Sequence, residues 1–226
     1  MDDEFDAIDK LADIEKLEDG SSQNIKRLLE LSHDGNDEVR CRAIEAFENF
    51  EPTDAILSRV REGINDEDEI VRAMSIELLG DWADVDSIDN LYRAFGDVSD
   101  IVRAAALTSL GQMDRKDVAE VLEGKYPIFG GIEKVSAAMA LYSLGEKKYL
   151  DDLLSFLEDD DFLIRCRTAN LLCSFVDEQD KEKVIEKMEF ALALEKTEAA
   201  ASSLSDAIAD LSGEEEDDDE DEDAIF

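Results

Sequence analysis

The sequence predicts an all-α fold, an α-solenoid of about five to six helical hairpins followed by a disordered acidic C-terminal tail. Three observations carry this prediction. One segment recurs five times at near-constant spacing, each copy has the 3.6-residue apolar period of a helix, and a second apolar-periodic stretch lies between successive copies. Only two prolines occur in 226 residues, and no alternating β pattern competes.

The elements follow in chain order. Residues 1–20 are rich in acids around Phe5, Ile8, Leu11, Ile14 and Leu17, which reads as an amphipathic helix capping the first hairpin or as a partner-binding arm. Residues 21–212 hold the repeats. The five copies are Val39–Phe47, Val71–Gly80, Val102–Gly111, Ser136–Gly145 and Ile164–Leu172, and a degenerate sixth lies near Thr197–Leu211. Anchored on Arg40, Arg72, Arg103, Ala137 and Arg165, the spacings are 32, 31, 34 and 28 residues. Counting that anchor as zero, apolar residues recur at −1, +1, +4 and +7, the buried stripe of a helix. An Asp-rich turn precedes four copies and suits an N-cap, while Gly80, Gly111 and Gly145 suit left-handed helix ends. The preceding stretches, such as Ile25–Leu31, Ile56–Ile64 and Ile88–Phe95, supply the first helix of each hairpin. Neither helix buries its apolar face alone, so neighbouring hairpins must stack. The recurrent Arg is expected to fork onto a turn Asp of its own or the next repeat.

Two irregularities stand out. Gly124–Gly131 (GKYPIFGG) lengthens the fourth unit and places Tyr126, Pro127 and Phe129 as an aromatic plug or a protruding contact loop. Residues 213–226 contain ten consecutive acids, Glu214–Asp223, whose repulsion predicts a disordered tail that solubilises the chain or steers toward a basic surface.

The repeated D-x-x-x-V-R-x-x-A-x-x-x-L signal resembles HEAT-like repeats of the phycobilisome-lyase type over roughly residues 22–212. The fourth copy departs from it with Ser136-Ala137 in place of Val-Arg. The resemblance implies stacked helical hairpins. For function it implies scaffolding, protein binding or, in some members, catalysis, including a lyase-type role in attaching a tetrapyrrole chromophore.

Composition excludes several classes. With 61 acidic and 23 basic residues the formal net charge is −38, which opposes nucleic-acid binding and adsorption to anionic membranes. No apolar run reaches bilayer length, and residues 1–5 lack a signal-peptide start. The three cysteines are too scattered for a disulfide framework, which suggests reduced thiols in the cytoplasm. Cys41 and Cys166 share the +1 slot with Ala73, Ala104 and Ala138 and read as small core residues. His33 is the only histidine, so paired His-Glu iron sites cannot be built, and Cys41 lies too far in sequence from Cys166 and Cys173 for a standard zinc site. We expect no catalytic, cofactor-binding or metal-binding residues, no cofactor and no enzymatic activity. Adaptation to high salt would also produce acidity, but Lys is as frequent as Arg, Ile is plentiful, and ten of the acids are concentrated in one tail.

What remains is a binding surface. If the second helices line the concave side, positions +2, +5 and +9 face it. The predicted protein-binding residues are Arg42 and Glu45, then Met74, Glu77 and Asp81, then Thr108 and Gln112, then Met139, Tyr142 and Glu146, and last Arg167 and Asn170. Met and aromatic residues at the centre with a polar rim fit a protein partner. The expected function is a non-catalytic protein-binding scaffold, monomeric when free. Its most concrete form is an acidic inhibitor, an immunity protein or antitoxin, that neutralises a basic partner such as a toxin. The alternatives are a generic assembly adaptor or chaperone and, less strongly, the chromophore-lyase role.

Overall fold

The computed structural model describes residues 2–17, 20–113 and 115–213, with the side chains of the first stretch described from Asp6 onward. The acidic run 214–223 therefore lies outside the described residues, and so does its expected disorder. Thirteen α-helices make up the described fold: α1 (Asp2–Ile14), α2 (Ser22–Leu31), α3 (Asp37–Glu45), α4 (Asp54–Gly63), α5 (Glu69–Asp81), α6 (Ile88–Ala94), α7 (Asp100–Gly111), α8 (Lys116–Lys125), α9 (Gly131–Ser143), α10 (Tyr149–Phe156), α11 (Phe162–Phe175), α12 (Lys181–Leu194) and α13 (Glu198–Ser212). The fold is all-α, and α2/α3, α4/α5, α6/α7, α8/α9 and α12/α13 pack as hairpins, with α10 preceding α11 in the chain. The chain divides into two compact units, residues 1–149 and 150–226.

In the first unit the second helices stand side by side in the order α3, α5, α7, α9, each with its first helix packed against it. The core comes from the predicted stripe: Val39, Ile44, Phe47, Val71, Ile76, Leu79, Val102, Leu107 and Leu110 are all buried. α1 packs on α3 and extends the same row. Its three-residue apolar spacing drifts around a 3.6-residue helix. Ile14 is consequently buried and Ile8 is exposed, with Ala7 turned inward instead.

The recurrent Arg forms a ladder. Arg40 donates Nη1 to the carbonyls of Asp34 and Gly35 in its own turn, and forks Nε and Nη2 onto Asp66 of the next repeat at 3.0 and 2.8 Å. Arg72 repeats this with the carbonyls of Asp66 and Glu67 and the carboxylate of Asp97. Arg103 binds the carbonyls of Asp97 and Val98 and takes Glu133 as its acid. In the second unit Arg165 holds Asp159, Asp160 and Glu195 in the same way. The first rung is Lys10 of α1, whose Nζ lies 2.7 Å from Asp34. Ala137 leaves the fourth repeat without a rung.

Each turn has two acids or amides with different duties. The first, Asp34, Asp66, Asp97 or Asp159, accepts the backbone N–H two residues on, closing an Asx turn. The second, Asn36, Asp68 or Asp161, is the true N-cap of α3, α5 or α11. Ser99 holds that place before α7, yet its buried hydroxyl has no hydrogen-bond partner among the described residues. The expected glycine ends need correction. Gly145 is left-handed, with φ of 98°, but Gly80 and Gly111 lie inside helices. They are small because the next second helix lies against them.

The ladder predicts an unusual pH profile. Its bond to Arg72 holds the Asp97 carboxyl below the usual range, and Lys10 does the same for Asp34. Burial pushes Asp66 up, but Arg40 and the Asx N–H outweigh it and the net direction is down. A carboxyl depressed in the folded state stabilises above its unfolded pKa of about 4 and loses that contribution as pH falls below it. The many exposed acids act oppositely, because neutralising them relieves self-repulsion. Calorimetry should therefore show the melting temperature rising from pH 7 to about 5 and falling steeply below about 4.

Candidate protein-binding groove

On the first unit a groove runs from α1 across α3 to α5. One end is a cleft of about 530 Å³ between α1 and α3, and the other is a cleft of about 340 Å³ between α3 and α5. Glu38, Arg42 and Glu45 line both, so the clefts adjoin across the outer face of α3. The apolar floor is Leu11, Ile14 and Leu17 at one end and Cys41, Ile70 and Met74 at the other. The walls carry Glu15, Asp37, Glu38, Glu45, Glu48 and Asp68.

Helix geometry explains this distribution. Glu38, Cys41, Arg42 and Glu45 are three or four residues apart and share one face of α3, while Ala43 and Ile44 turn to the core. Arg42 is the one cation among the lining residues, and Glu45 Oε2 holds it at 2.7 Å. The groove therefore presents an uncompensated negative rim over an apolar floor. Burial pushes the Cys41 thiol up, so it stays protonated at neutral pH and serves as floor rather than as a nucleophile. Cys41 and Cys166 are only half-buried, so the expectation that both are core residues is corrected.

The predicted binding residues divide. Arg42, Glu45 and Met74 come together in the groove. Further along the row, Asp81 accepts a 2.7 Å bond from Gln112 Nε2, tying α5 to α7. Glu77 and Thr108 are half-buried, and Thr108 Oγ1 bonds the Ala104 carbonyl of its own helix. Met139 and Tyr142 are 1% and 0% exposed, so they offer no surface to a partner. The reason is that α9 is apolar on every side from Val135 to Tyr142 and runs as a core helix. Tyr142 carries Lys147 Nζ 3.7 Å from its ring centroid. Glu146 is half-buried just beyond it, and in the second unit Arg167 is half-buried and Asn170 exposed.

In the Gly124–Gly131 segment two rings pack against neighbours while Ile128 is exposed, so the segment is part contact and part protrusion. Phe129 meets Phe95 edge-on at 6.3 Å, and Tyr126 meets Tyr149 at 4.7 Å. The sequence offers residues 1–20 as a cap or a partner-binding arm; the groove residues that sequence reasoning missed are Asp37, Glu38, Cys41, Ala46 and Glu48 around α3 and Asp68 and Ile70 at the start of α5. Their available signal was Ile70, an apolar residue two places before its Arg, where the helical stripe does not call for one.

Among the described residues no group of His, Cys, Asp and Glu could hold a metal ion, and no helix is long and apolar enough to cross a membrane. Stacked hairpins with side-by-side second helices and a polar ladder between turns define an α-solenoid repeat protein. A family model described as HEAT repeats matches residues 25–111 and 57–125. Residues 25–125 of the chain thus carry HEAT-like repeats. No curated protein matches the chain significantly. Among solved structures it is similar to a chain in the complex of CpcE and CpcF of phycocyanin lyase from Nostoc sp. PCC7120. That match has 13% sequence identity and a TM-score of 0.48, and covers 85% of this chain and 96% of that one.

Proposed function

We propose that this HEAT-like protein is a non-catalytic scaffold that binds a basic protein through the α1–α3–α5 groove. The observation that carries the reading is the pair of adjoining apolar clefts bordered by carboxylates, whose one cation is already paired. Such a surface takes a segment that places an apolar side chain on the floor and Lys or Arg at the rim. The chain's net charge of −38 steers a cationic partner inward and repels acidic ones. Neutralising a basic effector, as an immunity protein or antitoxin does, is the most concrete form of this role; the acidity and the paucity of catalytic groups support it.

The probe is a labelled peptide of Lys and Leu in a 3.6-residue pattern, followed by fluorescence anisotropy at low salt. Glu38 and Glu48 are exposed and make no ion pair among the described residues, so Glu38→Lys with Glu48→Lys breaks none, and an unchanged melting temperature is the control. Reversing both charges is expected to weaken binding roughly tenfold, about 1.4 kcal/mol. A Lys-only peptide of equal charge should bind far more weakly than the patterned one. Equal binding by both peptides, or indifference to the two reversals, would remove the groove as the site.

A further inference from the structure

Along the row of second helices in the first unit, one face changes its chemistry. Counting the repeat anchor as zero, positions −2, +2 and +5 are four and three residues apart and share that face. They hold Glu38, Arg42 and Glu45 on α3, Ile70, Met74 and Glu77 on α5, and Ile101, Ala105 and Thr108 on α7. The charges thin out along the row and are gone at α7. Ile70 and Met74 already line the α3–α5 cleft. α7 lies beyond it, parallel to α5 and in register: Arg72 reaches Asp97 ahead of α7, and Gln112 reaches Asp81 at the far end. Ile101 therefore repeats the place of Ile70 one helix further on, about 8–10 Å away.

This next place is uncovered. Ile70 is 44% exposed, Ile101 41%, and Val98, in the turn before α7, 93%. The corresponding turn residues of other repeats are Gly35, Glu67 and Asp160. The turn holds Val98 in place, since its carbonyl accepts Arg103 Nη1 at 3.0 Å and the Asp97 carboxylate accepts the Ser99 N–H at 2.9 Å. An apolar residue before an N-cap ordinarily packs on the fourth residue of the helix, but that residue is Arg103 here, so Val98 gains no such staple. Three large apolar side chains left open in one stretch mark a surface that a partner covers.

The surrounding charge names the partner. Arg72 and Arg103 are committed to Asp97, to Glu133 and to turn carbonyls. Glu69 and Asp100, the chain neighbours of Ile70 and Ile101, are exposed and make no ion pair among the described residues. A second copy of this chain brings the same carboxylates and a net charge of −38, and is repelled. A cationic segment is attracted. Once held in the α1–α3–α5 groove, it needs about three extended residues to span the roughly 8–10 Å from α5 to α7.

Resting on that groove as the docking site, we propose that the basic partner segment continues past α5 in an apolar end that packs on Ile70, Val98 and Ile101. The ligand is then directional, with Lys or Arg over Glu38, Glu45 and Glu48 and its apolar end over α7. Charge brings any basic segment to the groove, and the apolar end selects among them.

Fluorescence anisotropy with the full chain tests this. The probes are the patterned Lys–Leu peptide and the same peptide extended at its N- or C-terminus by Leu-Ser-Leu-Ser or by Ser-Gly-Ser-Gly. The Leu extension is expected to tighten binding severalfold at one end only. Val98→Ser with Ile101→Ser should abolish that gain and leave the affinity of the unextended peptide unchanged. Val98→Ser alone, at the most exposed of the three, should remove part of the gain at an unchanged melting temperature, which separates lost contact from lost fold. A Leu extension that has no effect, acts equally at both ends, or keeps its gain through both substitutions overturns the extension onto α7 and leaves the groove in place. Absence of binding by the unextended peptide instead removes the groove, and this proposal with it. Sedimentation of the chain alone tests the remaining occupant: a dimer that Ile101→Ser dissolves would put a second copy on this surface and overturn the assignment.

Discussion

Replacing Arg72 by Met is expected to lower the stability of the chain by about 2–4 kcal/mol, more than any exposed charge removal. The estimate lies between the near-zero value of exposed ion pairs and the 3–5 kcal/mol of breaking a buried one, because the Arg72 side chain is 12% exposed. Four bonds are lost: two to the Asp97 carboxylate at 2.9 and 2.8 Å, and two to the carbonyls of Asp66 and Glu67 at 3.0 and 3.1 Å. Asp97 keeps its Asx bond to the Ser99 N–H but is left as a partly buried carboxylate without its cation. Arg72→Lys should recover little, since one ammonium cannot fork onto Asp97 and also reach both carbonyls. Asp97→Asn should cost less than Arg72→Met, because the amide oxygen still closes the turn. In the double variant the losses should fall short of their sum by about 1–3 kcal/mol, the coupling expected of residues in one network. Urea unfolding of the four proteins measures this. Full additivity would mean the rung is ornamental. Arg72→Met should also flatten the acid side of the pH profile, since Asp97 then titrates nearer its unfolded value.

The ladder was legible in the sequence because its parts recur at fixed offsets. An Asp six residues before each Arg supplies the carbonyl, and the next repeat's turn supplies the carboxylate. What the sequence did not distinguish was which turn acid caps the helix and which receives the Arg, because both are Asp in two of the turns. Asp66 and Asp68 differ only in where the chain has already turned. The hairpins were legible through their 3.6-residue stripe, and the stripe failed where composition was uniform. From Val135 to Tyr142 nearly every residue is apolar, so periodicity could not say which side of α9 faces outward, and Met139 and Tyr142 were assigned to the surface. The groove was half legible. Arg42, Glu45 and Met74 follow from the repeat register, whereas Leu11, Ile14 and Leu17 belong to α1, outside the repeat. Their relation to α3 depends on packing that no period encodes.

Gly111→Ala is expected to destabilise the chain by about 1–3 kcal/mol, the range for forcing extra atoms into a packed contact. Helix propensity alone predicts the opposite sign, since Ala is favoured over Gly by up to about 1 kcal/mol. Geometry decides between them. A Cβ at position 111 would lie 2.6 Å from the Ala140 Cα and 2.9 Å from its Cβ, so α7 and α9 would have to part. The close atom is backbone, and Ala140→Gly removes only the farther of the two contacts, so it should rescue little. Gly80 offers the contrasting case. Its virtual Cβ meets Ser109 Cβ and Oγ at 2.6 Å, and Gln112 Oε1 at 2.5 Å, all side-chain atoms. Gly80→Ala should therefore be partly rescued by Ser109→Gly, although that change also removes the bond from Ser109 Oγ to the Ile76 carbonyl. Gly124 lies inside α8 with open space around its Cβ position, and Gly124→Ala should gain stability, by about 0.5–1 kcal/mol. Thermal unfolding of the three single variants and two pairs checks the ordering. A neutral Gly111→Ala would mean that the second helices are not in close contact along the row. A destabilised Gly124→Ala would show that something other than close approach governs these glycines. The order expected here follows from one cause: the second helices of neighbouring hairpins approach closely enough at Gly80 and Gly111 to exclude a methyl group, and the polar ladder sets the register at which they do so.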